Sequence, residues 1–439
     1  MRTRLVERMI ASERKGVLIA AQASGWAVVA VAAGLVLAAT AAVAQQSGAQ
    51  RGGQSGGSQQ PQIDTATAKA INAAIEALNA NKYPEAQAAI TALKIDKLSP
   101  NERSKVEWVL FSIAYAQDKY GEAREHLESA IKAGGLNEQE ISQFRYQSAQ
   151  LYMAEDRWKE GAAALEEWFK TAQNPNSAAH YLLAVAYYQL EDPNRALPHA
   201  KRAVELMEKP QETWIGLLLA LYIQRERYED SVPLLTQLIE LAPDKKVYWV
   251  QLSGVYGQLE DYSHALAVTQ LAYGVGLLNE DSEIRRLADL QLLNGIPYRC
   301  GQLLEASIER KTVNVDEKLY DKLGDCWIAA GELDKALSPL ARAAELATTG
   351  DSFMRLAEVH VQRADWAAQA ALERGIAKGQ LKDAAGAHLL MGIALYSQHK
   401  LADARPWFER AQVSERHRET AKSYLQLIST QLDVHPTPR

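Results

Sequence analysis

A four-residue phrase recurs ten times between residues 83 and 404, and it constrains the fold more than any other feature of this sequence. It consists of an aromatic or turn-forming residue, two mostly polar residues and a small residue, as in Tyr83-Pro84-Glu85-Ala86 and Tyr262-Ser263-His264-Ala265. Successive fourth residues are 37, 38, 35, 35, 34, 35, 36, 33 and 35 positions apart. They are Ala86, Ala123, Gly161, Ala196, Ser231, Ala265, Cys300, Ala336, Gln369 and Ala404. A period of this length predicts stacked copies of one supersecondary unit.

Each copy carries the apolar spacing of two amphipathic helices. In the sixth copy Trp249, Leu252 and Tyr256 share one helical stripe, and a second stripe follows the turn at Glu260-Asp261. The small fourth residue suits the point where two helices cross most closely, because a large side chain there would force them apart. We therefore predict an all-α fold of about ten helical hairpins over residues 65–415. A capping helix over residues 416–434 and a disordered tail over residues 435–439 would follow.

Two of these copies carry a recognisable motif. The phrases Trp249-x-x-Leu252-x-x-x-Tyr256 and Leu323-Gly324-x-x-Trp327, with the small residues that follow them, resemble tetratricopeptide repeats. This resemblance extends over most of the chain and implies a right-handed α-solenoid that binds protein or peptide partners. The ninth copy departs from the pattern, since Gln369 replaces the small residue and the second helix is one residue short.

The N-terminal segment has the pattern of an export signal. Basic residues up to Lys15 precede an uncharged stretch over residues 16–44, and Ala42-Val43-Ala44 supplies a small-x-small cleavage motif. We expect a signal peptide over residues 1–44, cleaved between Ala44 and Gln45, and a disordered Gly/Ser/Gln-rich tether over residues 45–64. The alternative is an uncleaved membrane anchor, because the stretch is long enough to span a bilayer. Either interpretation places the repeats in the periplasm.

Charge and motif content argue against several classes of function. The formal net charge is −6, which makes the chain a poor nucleic-acid binder. The sequence contains no HExxH, CxxC or phosphate-binding glycine motif. We therefore predict a non-enzymatic protein without a metal or cofactor. An enzyme with its site between copies is the competing hypothesis, and it would need a closed pocket with convergent ionisable groups.

The first helices of a tetratricopeptide solenoid line its inner wall, and that geometry predicts a partner-binding groove. Aromatic and apolar side chains are expected at one end and acidic side chains at the other, which would favour a basic partner segment. The competing interpretation is packing between copies for the aromatic residues and simple solvation for the acids. The predicted residues are Trp108, Tyr115, Tyr146, Met153, Tyr181 and Tyr188 at the aromatic end, and Asp289, Asp321, Asp325, Asp351 and Glu358 at the acidic end.

The two cysteines leave two alternatives open. Cys300 lies near the start of one predicted helix and Cys326 near the end of the next, so antiparallel neighbours would place them at the same height. An oxidising compartment would permit a disulfide. A buried thiol also packs well at the small position of Cys300.

One stretch suggests a more specific context. Residues 379–396, which include Gly379-Gln380-Leu381-Lys382 and Ala387-His388-Leu389-Leu390, are similar to a group of periplasmic tetratricopeptide proteins encoded beside TonB–ExbB–ExbD energy-transduction systems. The resemblance implies an accessory of a TonB-type uptake system. The alternative is an assembly factor for an envelope polysaccharide, pilus or secretion machine.

Overall fold

The computed structural model describes residues 63–434, which form 21 α-helices and one short 3₁₀ helix and contain no strand. The prediction of an all-α fold built from helical hairpins is confirmed. No helix within the described range has the length and apolar character that a bilayer span requires. The predicted signal peptide with its cleavage site, nearly all of the tether, and the C-terminal tail lie outside the described residues.

The described chain divides into two compact units, residues 63–243 and residues 244–434. The N-terminal unit consists of five hairpins, each pairing an odd-numbered first helix with an even-numbered second helix. These helices are α1 (Thr65–Asn79), α2 (Tyr83–Thr91), α3 (Pro100–Ala116), α4 (Tyr120–Lys132), α5 (Glu138–Ala154), α6 (Trp158–Thr171), α7 (Ser177–Gln189), α8 (Pro193–Leu206), α9 (Glu212–Gln224) and α10 (Tyr228–Leu241). The 3₁₀ helix, Ile95–Lys97, joins α2 to α3.

The C-terminal unit repeats the plan with five further hairpins and a final helix. Its helices are α11 (Lys246–Gln258), α12 (Tyr262–Gly274), α13 (Asp281–Leu293), α14 (Pro297–Glu309), α15 (Glu317–Ala329), α16 (Leu333–Leu346), α17 (Asp351–Gln362), α18 (Ala367–Lys378), α19 (Ala384–Ser397), α20 (Leu401–Ala411) and α21 (Glu415–Val434). The last helix packs on α20 and α19, and it covers the apolar surface that the tenth hairpin would otherwise expose.

Several first helices begin at a side chain that accepts a backbone N–H of the first turn. Asn137, Asn176, Asp316 and Asp383 act in this way for α5, α7, α15 and α19. Free N–H groups at a helix start need such acceptors, and Asn and Asp are among the best of them. The start of these helices is therefore encoded locally, in one or two residues each.

Second helices begin after a turn that is the same in every hairpin. One residue in each turn has a positive φ between 53° and 76°, and successive turn residues follow the spacing of the repeat. Only two of the ten are glycine, although an L-residue with a side chain is strained in this region. They are Asn81, Asp118, Asp156, Glu191, Glu226, Glu260, Gly295, Gly331, Ala364 and His399.

The small fourth residues of the phrase lie where the two helices of a hairpin meet. Nine of the ten are buried, and Ala86, Ala265 and Cys300 are fully so. Close approach is also visible at Gly392, where an added Cβ would lie 2.7 Å from the Phe408 ring of the paired helix. The small residue is therefore a packing requirement of each hairpin.

The ninth hairpin departs from this register, as its sequence predicts. Ala368 is buried at the helix crossing, and Gln369, which holds the small position in the phrase, is only partly buried. One residue is missing between the turn at Ala364 and the crossing, so α18 begins at Ala367 and Trp366 is displaced outward. Trp366 is 60% exposed, whereas its counterparts in other hairpins are partly buried.

Candidate partner-binding faces

Neighbouring first helices contact one another, as α1 does with α3 in the N-terminal unit and α17 with α19 in the C-terminal unit. In the described chain, no two consecutive second helices contact each other to the same extent. We call the surface formed by the first helices of a unit its inner face.

The predicted aromatic residues lie on the inner side of the N-terminal unit, but several of them pack against neighbouring rings. The ring centroid of Tyr146 lies 4.8 Å from that of Trp168, and Tyr181 stacks on Trp214 at 4.8 Å with an interplanar angle of 16°. The indole N–H of Trp168 donates to the hydroxyl of Ser142 at 2.9 Å. Burial raises the pKa of Tyr146 and of Tyr181 to about 12, so both phenols stay neutral near pH 7.

The remaining residues of the aromatic set differ in how far they are covered. Trp108 is half-buried against two core clusters, and Tyr115 lies 6.0 Å from Phe111 and 5.9 Å from Tyr120 between ring centroids. Met153 is buried against Gly161, whereas Tyr188 is half-buried. Contacts between and within hairpins thus bury much of the surface of these side chains. Tyr188 is among the residues that remain partly exposed.

The predicted acidic residues lie on the inner face of the C-terminal unit, where cations of the following hairpin meet most of them. The carboxylate of Asp289 on α13 accepts a hydrogen bond from the ammonium of Lys322 on α15. Asp321 and Asp325 on α15 both pair with the guanidinium of Arg355 on α17, the Asp321 contact measuring 2.9 Å. The negative charge that the sequence predicts for partner binding is therefore partly neutralised by cations of the protein itself.

Burial and pairing act in opposite directions on two of these carboxyls. Burial raises the pKa of Asp321 and Asp325, and the nearby Arg355 guanidinium opposes the rise in both. Asp351 has a different role: it accepts the backbone N–H of Lys382 at 2.9 Å and so holds the segment that leads into α19. Glu358 is exposed on α17, and its carboxylate has no ion pair or hydrogen bond among the described residues.

The cysteines face each other between α14 and α15. Their Cα atoms are 5.6 Å apart, both side chains are fully buried, and their sulfur atoms lie within bonding distance. This separation fits a disulfide. Trp327, next in sequence to Cys326, covers the pair and packs on Gly301.

The structure also joins residues that sequence reasoning did not connect. Lys322 and Arg355 were missed because their partners lie 30 or more positions away on another helix. His180 and His199 likewise meet across the fourth hairpin, with 3.1 Å between their Nδ1 atoms, and burial is the main cause that lowers the pKa of both. Two such nitrogens are fewer than a structural zinc site uses, and the described residues hold no cluster of three or more metal-ligating side chains.

Comparison with known proteins supports the repeat assignment. The tetratricopeptide repeat family model matches residues 146–212 in the N-terminal unit and residues 355–420 in the C-terminal unit. The first match runs from the middle of α5 to the start of α9, and the second runs from within α17 into α21. A search of curated proteins finds no match.

Among three similar solved structures, two are described as tetratricopeptide repeat proteins. A tetratricopeptide repeat protein from Parabacteroides merdae is 15% identical, with 68% of this chain and 100% of that chain covered and a TM-score of 0.36. YrrB, described as a TPR protein with an unusual peptide-binding site, is 17% identical over 43% of this chain and 91% of its own, with a TM-score of 0.34. The Cut9–Hcn1 hetero-tetramer of the APC/C shows 11% identity, coverage of 82% and 84%, and a TM-score of 0.30. Scores this low carry no argument about function.

The assignment therefore depends on the family model together with the hairpins themselves. Each matched segment spans most of two hairpins, and their turn geometry recurs in the other six hairpins of the described chain. Residues 146–212 and 355–420 therefore match the tetratricopeptide repeat family, with one matched segment in each unit of an all-α protein built from repeated hairpins.

Proposed function

We propose that this protein is a non-catalytic scaffold that binds a protein or peptide partner on the inner faces of its hairpins. The observation that carries the proposal is that the tetratricopeptide repeat model matches a segment in each unit, where neighbouring first helices contact one another and form one face. Such a face offers an extended surface to a partner, and its side chains can vary without disturbing the buried crossings.

Binding is tested on residues that reach the surface without serving the core. Tyr188→Ala changes the inner face at a half-buried position, whereas Lys201→Ala changes an exposed position on the second helix of the same hairpin. With partners captured by crosslinking from the native host, we expect Tyr188→Ala to weaken capture and Lys201→Ala to leave it unchanged. Equal capture by both variants would move the binding surface away from the inner face of the N-terminal unit.

The proposal includes export to the periplasm. It is supported by the basic start, the uncharged stretch over residues 16–44 and the Ala42-Val43-Ala44 motif, all of which lie outside the described residues. N-terminal sequencing of the native protein should begin at Gln45. A full-length protein that stays with the membrane fraction would show an anchored form instead, and a cytoplasmic protein would refute export.

The proposed partner system is a TonB–ExbB–ExbD-type transducer. Its support is the resemblance of residues 379–396 to periplasmic tetratricopeptide proteins associated with such systems. Crosslinked envelopes should yield transducer components with the bait. If they consistently yield other envelope proteins, this role is wrong while the scaffold proposal stands.

A further inference from the structure

The ion pairs on the C-terminal inner face follow a fixed register. Asp289 and Asp325 each lie six residues before the turn residue of their own hairpin, Gly295 and Gly331. Their cations, Lys322 and Arg355, each lie nine residues before the turn residue of the next hairpin. The seventh and eighth hairpins thus each place a carboxylate of this register against a cation of the following hairpin.

The register also holds where the series begins. Gly254 occupies the acid position of the sixth hairpin, and Arg286 of the seventh holds the cation position. The guanidinium of Arg286 donates to the Ser253 hydroxyl of the sixth hairpin at 3.3 Å. Arg286 thus reaches back to the preceding hairpin, as Lys322 and Arg355 do.

At the C-terminal end of this series of ion pairs, the cation position is not occupied by a basic residue. Glu358 lies six residues before its turn residue Ala364, at the same position as Asp289 and Asp325. The residue nine positions before the next turn residue, His399, is Leu390. Glu358 is therefore a carboxylate placed to receive a cation that the tenth hairpin does not supply.

Nearby cations are already engaged. Arg355, one turn before Glu358, pairs with Asp321 and Asp325 on the preceding first helix. The positive charge of Arg355 also acts on Glu358, and it opposes the negative charge of Asp383, the residue before α19, whose own carboxylate is bound by Arg416 and His417. Of the three carboxylates in this register, Glu358 is thus the one without an ion pair among the described residues.

The partly exposed residues around Leu390 on α19 are mostly apolar. Leu389, Leu390 and Ile393 are half-buried on α19, where they pack on the core with one side and reach the surface with the other. Tyr396 continues this row and lies 5.3 Å from Tyr424 of α21 between ring centroids. Apolar side chains next to one unpaired carboxylate form a surface for a ligand that is itself apolar around one positive charge.

We infer that Glu358 and the row Leu389, Leu390, Ile393 and Tyr396 form a docking site for a partner segment that carries an Arg or Lys flanked by apolar side chains. The partner's cation takes the place that Lys322 and Arg355 occupy in the preceding hairpins. This inference depends on the proposed scaffold function and assigns it a site and a chemical class of partner.

The test is selection from a random peptide library displayed on phage, with the intact protein as target. Peptides enriched on the native protein should carry a basic residue next to apolar residues. Replacement of that basic residue by Gln in a synthetic copy should weaken binding about fivefold, the range of a partly exposed ion pair. Enrichment without a basic residue, or no enrichment at all, overturns the inference.

Two variants locate the peptides at this site. Glu358→Gln should remove the preference for the basic residue, and Asp403→Asn, an equal charge change at an exposed position of α20, should retain it. Leu390→Lys supplies the missing cation from within the protein, so it should reduce binding about tenfold or more by pairing with Glu358 and repelling the peptide. Leu346→Lys, at a residue 52% exposed on α16, is its control.

The outcomes separate this inference from the scaffold proposal. Selected basic peptides that bind Leu390→Lys as well as the native protein would refute the site at Glu358. Capture of the native partner that depends on Tyr188 but not on Glu358 would leave the scaffold proposal intact. Loss of partner capture in Glu358→Gln, with Asp403→Asn unaffected, would support both.

Discussion

The two units share one hairpin design but join their first helices with different chemistry. In the N-terminal unit, Tyr181 on α7 stacks on Trp214 on α9. In the C-terminal unit, Asp289 meets Lys322, and Arg355 meets Asp321 and Asp325. Crossings within the hairpins are alike in both units, with small residues in contact with the facing helix. The hairpin thus sets the framework, and the inner face is free to differ.

This difference matters for the physical properties of each face. An aromatic contact gains free energy from buried apolar area and has little dependence on salt. An ion pair between half-buried groups gains little net free energy, but each partner is costly to leave alone. The N-terminal face should therefore contribute more to the free energy of unfolding. The C-terminal face should contribute more to fixing which positions of neighbouring first helices lie opposite each other.

Loss of the stacked indole should have the largest effect. Trp214 is 4% exposed, so Trp214→Ala leaves a cavity and should destabilise the N-terminal unit by about 3–4 kcal/mol. The effect should be unchanged in high salt. Trp366→Ala removes the same side chain at a residue that is 60% exposed, and it should cost less than about 0.5 kcal/mol. Urea unfolding followed by hydrogen exchange in each unit measures both.

Loss of the shared guanidinium should have the next largest effect. Arg355→Met leaves Asp321 and Asp325 without their partner and should destabilise the C-terminal unit by about 2 kcal/mol. Adding Asp321→Asn and Asp325→Asn should recover most of this loss, because the uncompensated charges are then gone. Failure of the triple variant to recover would mean that Arg355 acts through packing of its aliphatic part.

Lowering the pH should destabilise the N-terminal unit through Glu102 and should favour folding of the C-terminal unit through Asp321 and Asp325. Hydrogen bonds from the Ser99 hydroxyl and from the backbone N–H groups of Asp64 and Ser99 lower the pKa of Glu102 to about 2 from its usual 4.5. Its stabilising effect is therefore complete above about pH 4.5 and is lost as the pH falls toward 2. The pKa values of Asp321 and Asp325 are raised, so their contribution favours folding at low pH and is lost as the pH rises through those values.

Hydrogen exchange at pH 5 and pH 3, corrected for intrinsic rates, should thus show weaker protection near α3 at the lower pH. Glu102→Gln should remove much of that change and cost about 1 kcal/mol at neutral pH, since the capping box with Ser99 is lost. Unaltered acid sensitivity in Glu102→Gln would assign the effect to other carboxyls.

The smallest effect should be common to both units. Glu191 in the N-terminal unit and Glu260 in the C-terminal unit have φ values of 56° and 57°. Replacing either by Gly relieves strain in the left-handed region and should stabilise its unit by about 0.5 kcal/mol. Thermal unfolding of the two variants should give equal increments, and unequal increments would show that the turns are not equivalent.

Some of this site could be predicted from sequence because the relevant signals are local. The helix pairs, the small residue at each crossing and the irregularity at Gln369 all follow from spacing within about 20 residues, and the inner position of Tyr181 or Asp325 follows from helical periodicity. The Arg355 pairs could not be predicted in the same way. They require knowledge of which first helices are adjacent and at what height, which the periodicity of one helix does not contain.

What the sequence determined by itself is therefore the unit: where each hairpin begins and turns, and which small residue lets its helices approach. Only the tertiary structure decided what each side chain of the inner face meets. Tyr181 became a packing residue because Trp214 reaches it, and Glu358 stayed unpaired because Leu390 occupies the place of a cation. The physical reason is range, since turn and helix geometry depends on neighbours in sequence, whereas stacking and ion pairing depend on residues about one repeat away.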